Sequence, residues 1–332
     1  MNKIIVLLIT LIVSSLAHAE KPKSVYMTVW RGCEEACQGF FDYIKTNNLP
    51  VEVTLRNADR DKTKLAEFLE EAKTLSPDLV VTWGTSVSKA IIGTREEFGN
   101  KTKLGDIPAL FMIVADPVGA GIIDSPQTSG RTLVTGIRNR IDEEVQIRVM
   151  REYFPVNKIG VVYSTAELNS NLNTEKLQSL EQKMEFETLV ETYELDENGK
   201  PFPGQFDTKM QKLVEQGADV VYVGSSSYNL ANRDEFTASA VAHGLPVASA
   251  YDSMVTKSNA LISVSNKYYR VGQLAANQAE KVLFEGVEPG SLPIAELSSY
   301  SISINMEVAR NMSIFPPIQL LRFAELVNAD MK

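Results

Sequence analysis

Short runs of Val, Ile, Leu and aromatic residues alternate along the chain with longer stretches whose apolar positions recur at helical spacing, the pattern of parallel strands wrapped by helices. In the first half this predicts strands over residues 24–30, 51–56, 78–83 and 108–114, with helices over 34–46, 62–74 and 86–97 between them. The pattern restarts after Thr135, Gly136 and Ile137. A helix over 142–153 leads to strands over 158–163, 187–194, 219–223 and 246–250, joined by helices over 171–184, 206–216 and 233–243. A strand over 260–264, a helix over 268–284 and a strand over 300–304 are left over, and are best used as crossings that return the chain between lobes. The expected fold class is α/β, two doubly wound parallel-sheet lobes joined by a multi-strand hinge. The first lobe takes residues 20–137 plus about 267–295, the second 138–266 plus about 296–332.

Ligands of such sheets sit outside the carboxyl ends of the strands, so the strand-to-helix loops of both lobes should surround one cleft. In the first lobe these loops hold Trp30 and Arg31, then Trp83, Gly84, Thr85 and Ser86, then Asp116 before Pro117. The tryptophans offer flat faces for stacking. Gly84 permits a tight turn, and Thr85 or Ser86 can cap a helix whose free N–H groups would suit a carboxylate. The second lobe supplies Thr165, Glu167, Ser170, Ser226, Tyr228 and Asp252. For each hydroxyl and acid in these loops, capping a turn or helix is the competing role.

The start of the chain changes the picture. Lys3, the apolar run over 4–16 and Ala17, His18 and Ala19 read as a secretory signal peptide over 1–19, too short to span a membrane and cleaved after Ala19. A periplasmic location follows. Removing Lys3 from the 33 basic residues leaves 32 against 42 acidic ones, and no basic run tracks a phosphate backbone, so nucleic acid is not an expected partner. In that oxidising compartment Cys33 and Cys37 suggest a local disulfide, with free thiols or a metal as the alternatives. Regular helical spacing would put their Cα atoms near the upper limit for a bridge, so a loop or distorted first turn is required.

After processing one histidine remains, His243, with no nucleophile elbow and no metal-binding histidine pair. The chain is therefore expected not to be an enzyme and to use no cofactor or metal. It is also expected to act as a monomer. A carboxylate-based hydrolase is the remote alternative.

The run from Ala115 to Gly121 with Thr135 and Gly136, the block of Pro246, Tyr268, Tyr269, Gly272, Ala275, Gly286, Pro289 and Pro293, and the ending with Asn305, Ala309, Pro316 and Pro317 resemble one family. It is the ABC transporter substrate-binding proteins, in the group that includes tryptophan and tyrosine transport components. Gly39, Phe40, Glu167, Asn169 and Ser170 agree as well, so the likeness spans nearly all of the mature chain. The resemblance implies a type I periplasmic-binding fold, a small-molecule ligand that is often an aromatic amino acid, and a membrane permease with its ATPase as partners. It also implies that Gly84, Thr85 and Ser86 meet the ligand carboxylate, that Asp116 lines the pocket, and that Glu167 and Ser170 close over it. The segments over 30–37 and 225–229 depart from the family pattern. A ligand sensor feeding a membrane kinase or cyclase would carry the same features.

Overall fold

The computed structural model describes residues 21–97, 99–100 and 102–329; the expected signal peptide lies outside them. The first half forms β1 (Lys23–Val29), α1 (Glu35–Thr46), β2 (Val51–Asn57), α2 (Lys64–Leu75), β3 (Leu79–Trp83), α3 (Thr85–Ile91), β4 (Ala109–Val114) and β5 (Val134–Arg138). Next come α4 (Glu143–Arg151), β6 (Lys158–Tyr163), α5 (Leu168–Met184), β7 (Glu187–Thr192), α6 (Phe206–Glu215) and β8 (Val220–Val223). These are followed by α7 (Ser227–Ala231), α8 (Arg233–Ala242), β9 (Val247–Ser249), α9 (Asp252–Thr256) and β10 (Ile262–Ser265). The chain ends with α10 (Tyr268–Phe284), β11 (Ala295–Glu296), β12 (Ser301–Asn305), α11 (Met306–Met312), α12 (Ile318–Leu321) and β13 (Ala324–Val327).

The strands make two sheets. One, in the order β11-β5-β4-β3-β1-β2, is parallel throughout; the other, β13-β12-β10-β9-β8-β6-β7, is parallel except where β10 meets β12. Strands β3 and β4 are buried along their whole length, as strands covered on both faces must be, which explains their nearly unbroken apolar sequences. Each sheet has a hydrophobic cluster on either side.

The three leftover segments are not themselves crossings. β10 and β12 lie inside the second sheet, and α10 packs on α1 against the first. The crossings are the short links after β5, between β10 and α10, and between β11 and β12. Two glycines, one on each helix, let α10 approach α1 to backbone contact. A Cβ on Gly39 would lie 2.0 Å from the Tyr269 carbonyl oxygen, and one on Gly272 would lie 1.8 Å from that of Ala36. The helix expected over 86–97 stops at Ile91, because Gly93 takes a left-handed φ of 78°. The two-residue β11 and the edge strand β13 are too short or too exposed to show a period in the sequence.

Candidate functional site

A cavity of about 40 Å³ lies between the lobes. The first lobe lines it with Trp30 and Arg31 after β1, Trp83 to Ser86 between β3 and α3, and Ile113 and Ala115 at the end of β4. From the second lobe come Asn169, Ser225, Ser227 and Tyr251, while Asn139 and Tyr268 enter from two of the crossings. Two larger openings flank it: one of about 380 Å³ shares Arg31 and Tyr268, the other of about 600 Å³ shares Thr85 and Ser86.

Arg31 joins the two walls. Its side chain is 4% exposed, and its guanidinium carbon sits 4.6 Å from the centre of the Trp83 ring. Nε donates to Glu34 Oε1 at 2.7 Å, and Nη1 donates across the cleft to Ser227 Oγ at 3.2 Å. Burial alone would lower the Arg31 pKa, but the charge and hydrogen bond of Glu34 outweigh it and hold the group above its ordinary value. The loop that presents Arg31 turns at Gly32, whose φ is 97° and whose N–H donates to Asn57 Oδ1 at 2.9 Å. It is closed by a disulfide between Cys33 and Cys37. Cys33 stands in the bend before α1, so the two Cα atoms are 5.0 Å apart, well within bridging range.

Trp83 is 2% exposed and belongs to the first-lobe core as well as to the cavity wall. Gly84 has φ 95° and ψ 154°, a conformation that side chains avoid, and lets the chain turn off β3 into α3. α3 has seven residues and starts from Gly84 with no side-chain cap, so Thr85 and Ser86 do not cap it as expected but lie in its first turn. Ile113, a β-branched residue at φ 57°, lies where the β4–β5 register shifts between Phe111 and Val114. Such a conformation costs about 1–3 kcal/mol, and here it shapes the cavity wall.

Around the crossings, Asn139 Nδ2 donates to Tyr268 Oη at 3.3 Å, Asn266 Nδ2 to the Asn139 carbonyl at 3.0 Å, and the Ser226 N–H to Tyr251 Oη at 3.1 Å. Burial pushes both phenols up, so they stay protonated. Two buried atoms of cavity-lining residues, Trp83 Nε1 and Asn139 Oδ1, have no hydrogen-bond partner. Behind the second-lobe wall, buried Arg140 and Glu143 form an ion pair at 2.7 Å, and Arg140 Nη2 donates to Tyr222 Oη at 3.3 Å.

Of the residues read from the sequence, Trp30, Arg31, Trp83, Gly84, Thr85 and Ser86 come together on the cavity. The others take different partners. Asp116 accepts from the Gly119 N–H at 2.8 Å, holding its own turn. Glu167 accepts the N–H groups of Ser227 and Tyr228, both at 3.0 Å, and the Ser170 hydroxyl at 3.0 Å. It thus caps α7 from a neighbouring loop, and burial raises its pKa even though these bonds favour the charged form. The Ser170 hydroxyl shares its one proton between Glu167 and the nearer Ser225 carbonyl at 2.5 Å. Ser226 Oγ caps α7 through the Asn229 N–H at 3.2 Å, and Tyr228 packs edge-on to Tyr193 with centroids 5.0 Å apart. Asp252 pairs with Lys267 at 2.9 Å and accepts from Ser303 at 2.5 Å. Thr165 is exposed. Ser225, Ser227 and Tyr251 sit in loops that the fold pattern already pointed to, one residue from the ones singled out. Asn139 and Tyr268 line the cavity because the crossings pass it, which no local pattern reveals. Among the described residues no cluster of His, Cys, Asp and Glu is placed to hold a metal, and no helix is long and apolar enough to cross a membrane.

Two α/β lobes, three crossings and a polar, tryptophan-floored cavity between them define a two-lobed solute-binding protein. The family model described as ABC transporter substrate binding protein matches residues 30–328, and the chain belongs to that family. It is similar to the tyrosine-binding protein of Clostridioides difficile, 24% identical over 265 residues, which cover 80% of this chain and 71% of that one. Among solved structures it resembles a conserved domain protein of Vibrio cholerae, with TM-score 0.79, 23% identity, and 93% and 100% of the two chains covered. It also resembles an ABC domain from Streptococcus pneumoniae in complex with L-Trp, with TM-score 0.77, 19% identity, and 92% and 99% covered. The fold is thus that of the type I periplasmic-binding proteins.

Proposed function

We propose that the protein is exported, captures a flat, polar solute of about amino-acid size between its lobes, and delivers it in the closed form to a membrane permease driven by an ATPase. The observation that carries this reading is Arg31, stacked on first-lobe Trp83 and bonded to second-lobe Ser227, so that the site is complete only when the lobes meet. Closure then draws its free energy from contacts that exist in one state only. The names of the tyrosine-binding relative and of the L-Trp complex support an aromatic solute.

The test is to denature purified protein, identify released small molecules by mass spectrometry, and screen them with aromatic compounds by thermal shift, since a tight ligand must raise Tm by mass action. Trp83→Ala should weaken binding by at least the stacking contribution of about 0.5–1.5 kcal/mol. Undiminished affinity in that variant, or stabilisation by sugars or polyamines and not by aromatic compounds, would overturn the reading.

A further inference from the structure

We infer that the solute is an aromatic carboxylate without an ammonium group, an aryl or indolyl acid rather than an amino acid; this rests on the interlobe site proposed above. The cavity wall is rich in donors. Tyr251 Oη and Tyr268 Oη each already accept a hydrogen bond, so each keeps its own proton to give, and Ser227 Oγ, which accepts from Arg31, is in the same position. Among the described residues Trp83 Nε1 is buried with no partner, and the one charged residue on the wall is Arg31, a cation.

Charged acceptors are missing: among the described residues the lining offers amide and hydroxyl oxygens, of which Asn139 Oδ1, in a residue 7% exposed, is buried without a partner, but no carboxylate. The two acids closest to the wall are committed elsewhere: Glu34 to Arg31 Nε, and Glu167 to the N–H groups of Ser227 and Tyr228. An ammonium enclosed here would face the Arg31 guanidinium with no carboxylate among the described lining residues to pair with, Glu34 being already bonded to that guanidinium, which is the costly way to bury a cation. A carboxylate, by contrast, would take the Nη edge of Arg31 in a charge-assisted pair, with the phenols and Trp83 Nε1 as further donors. The buried, unpartnered acceptor, Asn139 Oδ1, suits a neutral donor on the ring end of the solute, such as a phenol hydroxyl or an indole N–H. The Trp83 ring, held under the guanidinium, fixes the plane of that fork.

Calorimetric titration of the purified protein with two matched trios tests this: tyrosine, hydroxyphenylpropionate and tyramine; tryptophan, indolepropionate and tryptamine. One acid should bind about tenfold or more tighter than its amino acid, the amines should not bind, and Arg31→Gln should cost the acid about tenfold. An amino acid that binds as tightly as its acid overturns this inference while leaving the interlobe aromatic site intact. Binding of no member of either trio overturns both. The comparison within each trio uses the unaltered protein, so it decides the question even if Arg31→Gln fails to fold.

Discussion

Glu167 sits in a strand-to-helix loop at the cleft, where a carboxylate could serve a ligand or a helix start with equal ease. Its three hydrogen bonds, all within the second lobe, settle its present partners. Its folded pKa is raised above the ordinary 4.5, chiefly by burial. The folded state therefore holds this proton more tightly than the unfolded chain does. The stability it contributes is fully present below pH about 4.5 and is lost as the pH climbs through the folded value. Urea denaturation of the wild type and Glu167→Gln should show the wild type gaining on the variant as pH falls from 7 to 4; a gap that widens in the other direction would contradict the burial argument. The residue types in each loop were legible from the chain. Their directions were not, because Ser225 and Ser226 are adjacent, yet only the first lines the cavity while the second caps α7.

Among the elements, α1 and α10 show how two glycines set an interface. Gly39 and Gly272 stand where any Cβ would meet a carbonyl oxygen of the opposite helix at 2.0 Å or less, so the helices approach to backbone contact. Gly272→Ala should force them apart and cost about 1–3 kcal/mol or more, read as a lower urea midpoint. An unchanged midpoint would mean that α10 shifts freely. The Cys33–Cys37 bridge closes a loop of few residues, so its chain-entropy contribution is near the low end, about 2 kcal/mol. Reducing it, or replacing both cysteines by serine, should lower stability by about that amount. It should also weaken ligand binding, since Arg31 lies two residues before the bridge. Affinity untouched by reduction would show that the loop holds Arg31 without it. The periodic segments of both lobes were readable because burial on both faces leaves long apolar runs, whereas β11 had only its two residues of pairing to show.

For the whole molecule the decisive contacts are those that join the lobes. Leu168 and Leu172 of α5 pack against the first-lobe core, Arg31 reaches Ser227, and Lys257 pairs with Glu35 at 3.0 Å. The last pair is largely exposed, so it contributes less than about 1 kcal/mol and weakens with salt. Lys257→Glu would set like charges across the cleft mouth. It should favour the open form, lower ligand affinity by several-fold at low salt, and enlarge the radius of gyration of the ligand-saturated protein in solution scattering. An affinity and radius equal to wild type would remove this pair from the proposed closure. Arg31→Gln, by contrast, should lower affinity at any salt, because the Arg31 side chain is itself buried, at 4% exposed.

Periodicity and apolar runs are properties of neighbouring residues, and they were enough to lay out two α/β lobes, the loops that face the cleft and the loop carrying Trp30, Arg31 and the cysteine pair. What only the tertiary structure decided are pairings between residues far apart in the chain. Arg31 meets Ser227 at a separation of 196 residues, Glu167 meets Ser227 at 60, and Asn139 meets Tyr268 at 129. A hydrogen bond depends on distance and direction in space, which no local pattern encodes. So the sequence alone could name the hydroxyls, acids and aromatic residues around the cleft, while only the packing of one lobe on the other decided which of them line the cavity.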